Sequence, residues 1–190
     1  NIHHCCNSAG TLELPDFHRE MIRPGIIQYG YDASKEVLVT GTKIKPVMSL
    51  RCCITHLKTI YEGDCVGYGR HFTATGPTKI ATLPIVYADG YNRALSSKID
   101  VIVHGVRAHQ VGNICMDQCM IDVSHIPDVK VGDEVVLFGE QGSECVSADE
   151  IADTCHTIIH EITCNINRRV PRIYVQNGKI VQRLEYLTQS

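Results

Sequence analysis

The stretch Gly-Asp-Glu-Val-Val-Leu-Phe at residues 132–138 decides the fold class. Four consecutive apolar residues, 135–138, follow a Gly-Asp turn signal, which is typical of a short strand buried on both faces. Runs rich in β-branched residues, separated by turn signals, recur at residues 49–61, 79–85, 100–103 and 110–123. From about residue 44 onward the chain is therefore predicted to be mainly β, with its strands arranged as a barrel or a sandwich.

The first part of the chain has a different rhythm. Residues 2–6 are apolar enough for a strand, residues 7–10 have turn chemistry, and residues 16–22 predict a helix that Pro24 ends. This alternation of strand and helix is typical of an α/β unit. Residues 31–43 contain charged, Ser and Gly residues and are the best linker candidate, so we predict domains at 1–43 and 44–190.

Two local patterns sharpen the prediction for the second domain. Asn177-Gly178 separates two strand-like runs, which indicates a hairpin with a type I′ turn. Ser147 followed by Glu150 has the form of a capping box, and apolar residues then repeat at helical spacing through Ile162. We therefore expect one continuous helix here, packed on the β body.

Composition excludes several classes of protein. The 190 residues carry 18 Lys and Arg against 21 Asp and Glu, without a basic run, so nucleic-acid binding is not predicted. No apolar stretch approaches the about 20 residues that span a bilayer. The 10 Cys and the lack of a signal peptide predict reduced thiols in the cytoplasm. Because the chain opens at Asn1 rather than Met, we expect it to be part of a longer polypeptide.

The His and Cys residues do not predict a metal site. His156 and His160 lie four apart beside Cys155, but the helical periodicity places both His on the solvated face, away from the apolar stripe. Cys115 and Cys119 lack the second matched pair that a zinc knuckle needs. We interpret these thiols as small buried apolar groups.

Two other segments have residue types suited to a ligand. Asn7-Ser8-Ala9-Gly10 and Arg23-Pro24-Gly25-Ile26 would meet at one end of neighbouring strands in an α/β unit, where a hydroxyl and free N–H groups suit a phosphate. A plain turn and a helix stop explain the same residues equally well. Gly67-Tyr68-Gly69 allows close backbone approach to a ligand, although a bulge with a packed Tyr is the commoner meaning.

Taken together, seven segments make the chain strongly similar to the alanine racemase family of pyridoxal-phosphate enzymes. The family has an α/β-barrel domain followed by a β-rich C-terminal domain. The matching segments are HCCNSAGTL (4–12), MIRPGI (21–26), PVMSL (46–50), VGYGR (66–70), YADGY (87–91), VGNICMDQ (111–118) and RVPR (169–172).

The resemblance implies that residues 1–43 are the last strand and helix of the α/β barrel, and that residues 44–190 form the barrel-like C-terminal β domain. The family's Lys that holds pyridoxal 5′-phosphate has no counterpart in these residues. The chain is therefore expected to be half an active site, inactive by itself. Family members act as homodimers with active sites shared between subunits, and the same is implied here.

The resemblance also implies roles for individual residues. Racemisation of alanine from L to D needs a base on each face of Cα, and Tyr68 matches the family's second base. The match to Arg23 donates to the pyridine nitrogen, which a guanidinium keeps unprotonated. The phosphate matches are Ser8, Gly25 and Ile26 with Asn7 beside them; Met116 matches the substrate-carboxylate contact, and Tyr87 and Arg93 the entrance corridor.

Two positions depart from the family pattern and keep alternatives open. Asn113 stands where Arg is common and Arg168 where Tyr or Pro is usual, both near the entrance. A looser pocket could admit a hydroxyl, so a serine racemase from a membrane-anchored, glycopeptide-resistance type of system is the alternative to an alanine racemase that supplies D-alanine for peptidoglycan. A free-standing β domain without catalysis is the second alternative.

Overall fold

The computed structural model describes residues 1–33 and 44–187. These residues form two compact units, Asn1–Ser49 and Leu50–Ser190, which are considered separately. Most of the predicted linker, residues 34–43, lies outside the described residues. The predicted domain boundary between residues 43 and 44 therefore stays a prediction.

The helices and strands are numbered in chain order. The first unit contains helix α1 (Ser8–Glu13) and the 3₁₀ helices Pro15–Phe17 and Ile26–Tyr29. The second unit contains β1 (Leu50–Cys53), β2 (His56–Ile60), β3 (Cys65–Val66), β4 (Phe72–Thr73), β5 (Thr78–Leu83), β6 (Asp100–Val103), β7 (Val106–Val111), β8 (Cys119–Asp122), β9 (Glu134–Gln141), β10 (Glu144–Val146), α2 (Ala148–Thr154), α3 (Ile159–Asn165), β11 (Arg172–Gln176) and β12 (Lys179–Leu184). Its 3₁₀ helices are Tyr68–Arg70, Tyr87–Asp89 and Arg93–Leu95.

The first unit corrects two local predictions. The expected strand at residues 2–6 is not formed, because a strand exists through hydrogen bonds to neighbours and the described part of this unit holds no other strand. The helix expected at residues 16–22 is also wrong. Only one 3₁₀ turn forms there, and Arg19 at φ 53° has a left-handed conformation that a right-handed helix cannot contain.

An eight-stranded antiparallel sheet dominates the second unit. Its order is β1-β9-β6-β7-β8-β5-β2, with β10 also paired to β9. The two edge strands, β1 and β2, are consecutive in sequence and are joined by only Ile54 and Thr55. Cys53 and His56 are three residue steps apart and so lie within about 11 Å of each other, which means that the sheet must curl to bring these ends of its two edge strands together. This confirms the predicted mainly β, barrel-like domain.

The chain changes partners within this two-residue corner. The N–H of Ile54 donates to the carbonyl of Asp133, next to β9, whereas the N–H of Thr55 donates to the carbonyl of Thr82 in β5. Ile54 is only 1% exposed. The corner is therefore stabilised by burial of Ile54 as well as by backbone hydrogen bonds.

The centre of the sheet is buried on both faces, as the apolar runs predict. The side chains of residues 101–103 in β6 and 135–138 in β9 are all at most 1% exposed. Helix α2 covers part of β9 with its own buried residues, Ala148, Ile151 and Ala152. Burial on both faces explains why these strands lack the polar alternation of a surface sheet.

The single helix predicted after Ser147 is two helices. The oxygen of the Ser147 side chain accepts from the Glu150 N–H at 3.1 Å, which confirms the cap. The Glu150 carboxylate instead accepts from Arg107 at 2.8 and 3.0 Å, so only half of the capping box forms. Helix α2 ends in a Schellman motif: His156 has φ 56°, and the Thr157 N–H reaches back to the carbonyl of Ala152.

The predicted terminal hairpin, β11–β12, is confirmed. Gln176 pairs with Lys179 across a two-residue turn. Asn177 at φ 51° and Gly178 at φ 73° both have positive φ, which a type I′ turn requires.

Candidate functional site

Tyr68 lies at the tip of a short hairpin formed by β3 and β4. Only two residue pairs join these strands, Cys65 with Thr73 and Val66 with Phe72. Gly67 and Gly69 flank Tyr68 with φ values of 73° and 79°, a left-handed backbone that glycine adopts without steric cost. The Tyr68 side chain is 79% exposed. The hairpin therefore presents a phenol to solvent, and the expectation that a packed Tyr is the commoner outcome does not hold here.

The base of this hairpin packs into an apolar cluster of the sheet. It brings together side chains of β2, β3, β5, β7 and β8 and the loop after β4, with Phe72 packed against it. Its buried members are Ile60, Val66, Ala74, Ile80, Val111 and Met120. The base of the hairpin is thus fixed to the sheet although its tip is exposed.

Asn113 joins the turn after β7 to the Tyr68 turn. Its side-chain Nδ2 donates to the carbonyl of Tyr68 at 2.8 Å. The backbones are also in close contact: a Cβ placed on Gly112, which has φ 73°, would lie 2.8 Å from the carbonyl oxygen of Val66. Asn113, predicted at the entrance, therefore touches the backbone of the predicted base.

Met116 follows Asn113 in the next turn. The N–H of Cys115 donates to the carbonyl of Gln118 at 3.0 Å and closes this turn. The Met116 side chain is 60% exposed. Continuity of the chain thus places Tyr68, Asn113 and Met116 on neighbouring turns of the second unit.

Tyr87 and Arg93, the other predicted entrance residues, line one open pocket with a volume of about 420 Å³. Gly90, Asn92 and Asn165 complete its lining. Gly90 has φ 102°, and a Cβ on it would lie 2.2 Å from the carbonyl oxygen of Asn165. The YADGY segment and the end of α3 are therefore in backbone contact, and no other residue could replace this glycine without displacing one of them.

The same corner contains an acidic residue of the YADGY segment to which the sequence analysis assigned no role of its own. Asp89 is 7% exposed, and its carboxylate pairs with Arg169 at 3.4 Å. Its carbonyl accepts from the Asn167 N–H at 2.8 Å. Arg168, predicted at the entrance, instead places its guanidinium 5.4 Å from the centre of the Tyr186 ring. The structure thus divides the predicted entrance residues among three local environments.

In the first unit, the predicted phosphate residues are close together. The Gly25 N–H donates to the Ser8 Oγ at 2.8 Å, and Ser8 and Ile26 are 7% and 3% exposed. The prediction of a free Gly25 N–H is therefore wrong, whereas the Ile26 N–H, at the start of its 3₁₀ helix, has no acceptor within that helix. Asn7 caps α1 by accepting from the Gly10 N–H at 3.1 Å.

Arg23 precedes Gly25 and Ile26 in the same segment. Its Nη2 donates to the carbonyl of Cys5 at 3.3 Å, and its backbone N–H donates to the carbonyl of Cys6 at 2.9 Å. Arg23 forms no ion pair with any of the described residues. A guanidinium has five N–H donors, so most of them stay available to a ligand that accepts hydrogen bonds.

The thiols of the second unit are buried to different degrees. Cys119 is fully buried, as predicted, whereas Cys115 is only half-buried. Burial raises the pKa of Cys52 to about 12, and burial with the nearby thiols raises the pKa of Tyr91 well above its usual value. The Tyr91 hydroxyl is buried without a hydrogen-bond partner in the part of the chain that is described.

His156 and His160 are both exposed, as the helical periodicity predicts. Within residues 1–33 and 44–187, no three His, Cys, Asp or Glu side chains converge to hold a metal ion. Within the same ranges, none of the helices has the length and apolar character of a membrane span.

Gln110 is the most informative residue that the sequence analysis missed. It is fully buried and makes three hydrogen bonds, to the backbone of Ser97, Val111 and Gly112. Alternation along β7 puts it on the same face as the buried Ala108, so a polar residue on an apolar face was the available signal.

Comparison with known proteins gives one consistent family. The model of the alanine racemase C-terminal domain matches residues 47–174. The chain is 48% identical to alanine racemase 1 of Clostridium acetobutylicum over 187 residues, which are 98% of this chain and 48% of that protein.

Solved structures agree with this result. The alanine racemase of Bacillus anthracis with bound L-Ala-P superposes with a TM-score of 0.93 at 38% identity, covering 98% of this chain and 48% of that one. The alanine racemase of Bartonella henselae with covalently bound pyridoxal phosphate gives 0.81 at 31% identity, covering 92% and 47%. The chain thus spans about half the length of the relatives that it matches.

Proposed function

This chain belongs to the alanine racemase family, and from that premise we propose that the protein of which it forms part interconverts L- and D-alanine. The observation that carries the proposal is Tyr68, an exposed phenol on a hairpin tip whose backbone is held by Asn113. A structural module has no need of a phenol held in this way. D-alanine made in this reaction would supply peptidoglycan synthesis.

The residues of the first unit fit pyridoxal 5′-phosphate, which the Bartonella henselae relative binds covalently. The Ser8 Oγ already accepts from Gly25, so its own hydrogen is free to be donated to a phosphate. The Ile26 N–H is a second donor, and Asn7 caps α1, the helix that begins at Ser8. The Arg23 guanidinium can only donate, which suits a pyridine nitrogen that acts as acceptor.

When bound, pyridoxal phosphate withdraws electrons from Cα of the amino acid and makes its proton removable. The contribution of Tyr68 is to accept or return that proton at its phenolic oxygen, on one face of Cα. A Lys from outside this chain serves the other face, so the chain alone is inactive. Tyr68 serves the site of a second copy, which makes the active enzyme a homodimer.

Other residues of the second unit bind and select the substrate. The backbone N–H of Met116 donates to the substrate carboxylate. The pocket of Tyr87 and Arg93 is the entrance, where the Arg93 guanidinium attracts the carboxylate of an amino-acid substrate.

The relatives that the chain matches favour alanine over the serine alternative. Asn113 is engaged with the Tyr68 carbonyl, and Arg168 is stacked on Tyr186. Asn113 keeps its Oδ1 and Arg168 keeps its N–H donors, so both side chains can still contact a substrate. The curated relatives, however, carry the name alanine racemase.

The test is racemisation of L-alanine and L-serine, measured side by side with added pyridoxal phosphate on the full-length protein and on this chain. We expect the full-length protein to convert alanine faster than serine, and this chain alone to convert neither. Faster conversion of serine would replace the proposal with serine racemisation. Inactivity of the full-length protein toward both amino acids would leave a non-catalytic β domain.

A further inference from the structure

The Tyr68 turn cannot be held by its own hairpin. Strands β3 and β4 contribute two residues each, and the turn between them contains Gly67 and Gly69, which restrict the backbone least. The Tyr68 side chain is 79% exposed and so gains little from packing. The position of the phenol must therefore be set by contacts from outside the hairpin.

The contacts that set it come from the turn after β7. Asn113 Nδ2 donates to the Tyr68 carbonyl at 2.8 Å. A Cβ on Gly67 would lie 3.5 Å from the backbone nitrogen of Asn113, and a Cβ on Gly112 would lie 2.8 Å from the Val66 carbonyl. Any displacement of Gly112 or Asn113 would be passed directly to Tyr68.

This turn is itself held by a buried amide. Gln110 is fully buried, and its Nε2 donates to the carbonyls of Val111 and Gly112, both at 3.1 Å. Its Oε1 accepts from the Ser97 N–H at 2.5 Å. The Ser97 Oγ in turn accepts from the Gly112 N–H at 3.0 Å. Both ends of the amide and both backbone polar groups of Gly112 are thus used.

We infer that Gln110 and Asn113 are positioning residues for the proton transfer assigned to Tyr68. Gln110 fixes Gly112, Gly112 fixes Asn113, and Asn113 fixes the backbone that carries the phenol. This inference rests on the proposed function. It gives a fully buried side chain and a residue predicted only at the entrance a shared role in catalysis.

Asn113→Asp tests the inference in the full-length protein. Asp has the same shape but presents only acceptors to the Tyr68 carbonyl, so the hydrogen bond is lost and the turn shifts. A misplacement of about 1 Å can cost about 100-fold in rate, and we expect a loss of about 10- to 100-fold in kcat with little change in KM. Asn177→Asp, the same chemical change in the terminal hairpin turn, is the matched control and leaves the rate unchanged.

The decisive readout is exchange of the Cα hydrogen in D₂O, followed by NMR for each enantiomer of alanine separately. A displaced Tyr68 slows exchange for the one enantiomer that it deprotonates, whereas a general structural defect slows both. Asn113→Asp is expected to slow the same enantiomer as Tyr68→Phe. Equal slowing of both enantiomers, or no slowing of either, would overturn the role of Asn113.

Gln110→Glu extends the test to the buried end of this relay, the contacts that run from Gln110 through Gly112 and Asn113 to Tyr68. The variant keeps the shape and leaves at most one donor for the carbonyls of Val111 and Gly112. A folded variant with the same enantiomer-selective loss supports the role of Gln110, and one with normal exchange removes it from the relay. If this variant fails to fold, Ser97→Ala loosens Gly112 from the other side and is judged in the same way. A wild-type protein that exchanges neither enantiomer would defeat the proposed function itself, which separates that failure from a failure of the relay.

Discussion

Two hairpins of the second unit, β3–β4 and β11–β12, are held together in opposite ways. The β3–β4 hairpin has two residue pairs, a glycine-rich turn and an apolar cluster beneath it. The β11–β12 hairpin has longer strands and a favourable Asn-Gly turn, but Ile173, Val175 and Ile180 are each 47% or more exposed. The first is shaped by contacts distant in sequence and the second by local preference. The proposed proton-transfer residue, Tyr68, which needs an exact position, lies on the first.

The largest effect is expected at the exposed tyrosines. Tyr68→Phe removes the proposed proton carrier, and loss of general acid–base catalysis costs about 10²- to 10⁴-fold. Tyr174→Phe makes the same change in the terminal hairpin, where Tyr174 is 48% exposed, and should leave the rate unchanged. The measurement is racemisation of alanine by the full-length protein with pyridoxal phosphate. Similar losses in the two variants would show that the phenol of Tyr68 has no special role.

The second comparison concerns packing. Met120 is 7% exposed in the cluster beneath the Tyr68 hairpin, and truncating a buried Met to Ala costs about 2 to 5 kcal/mol. Val181→Ala, at a residue that is 59% exposed, should stay within about 0.5 kcal/mol. Urea unfolding of the full-length variants gives both values. A comparable cost for Val181→Ala would mean that the terminal hairpin is covered in the full-length protein.

The smallest expected difference separates two glycines that share φ 73°. Gly178→Ala meets nothing within 4 Å, so only the left-handed backbone is penalised, by about 1 to 2 kcal/mol. Gly112→Ala adds a contact of 2.8 Å with the Val66 carbonyl, for which overpacking adds about 1 to 3 kcal/mol. The free energy of unfolding from urea titration distinguishes them. Equal costs would show that the Val66 carbonyl moves aside easily.

Sequence alone predicts the parts of this fold whose causes are local. The Asn177-Gly178 turn, the Ser147 cap and the buried run at residues 135–138 each depend on neighbours in the chain, and each is confirmed. The resemblance to a family also supplied a set of candidate site residues. Of these, the structure brings Ser8 next to Gly25, and Asn113 next to Tyr68.

Two of the failures have causes that are distant in sequence, and the early end of α2 has a local one. Glu150 does not complete the capping box because its carboxylate accepts two hydrogen bonds from Arg107 of β7. The helix periodicity continues past His156, but a Schellman motif ends α2 there. Gln110 was missed because its partners are backbone groups of Ser97 and Gly112, which only the folded chain brings together.

The corner at Ile54 and Thr55 has a consequence for biosynthesis. Leu50 pairs with Phe138, so β1 has no partner until the ribosome has made almost all of the sheet. Contacts of such large sequence separation slow folding, because the chain between them must first be confined. The nascent chain therefore has an unpaired strand edge while β2 to β8 are made, and β9, the partner that covers it, is the element whose emergence commits the sheet to close.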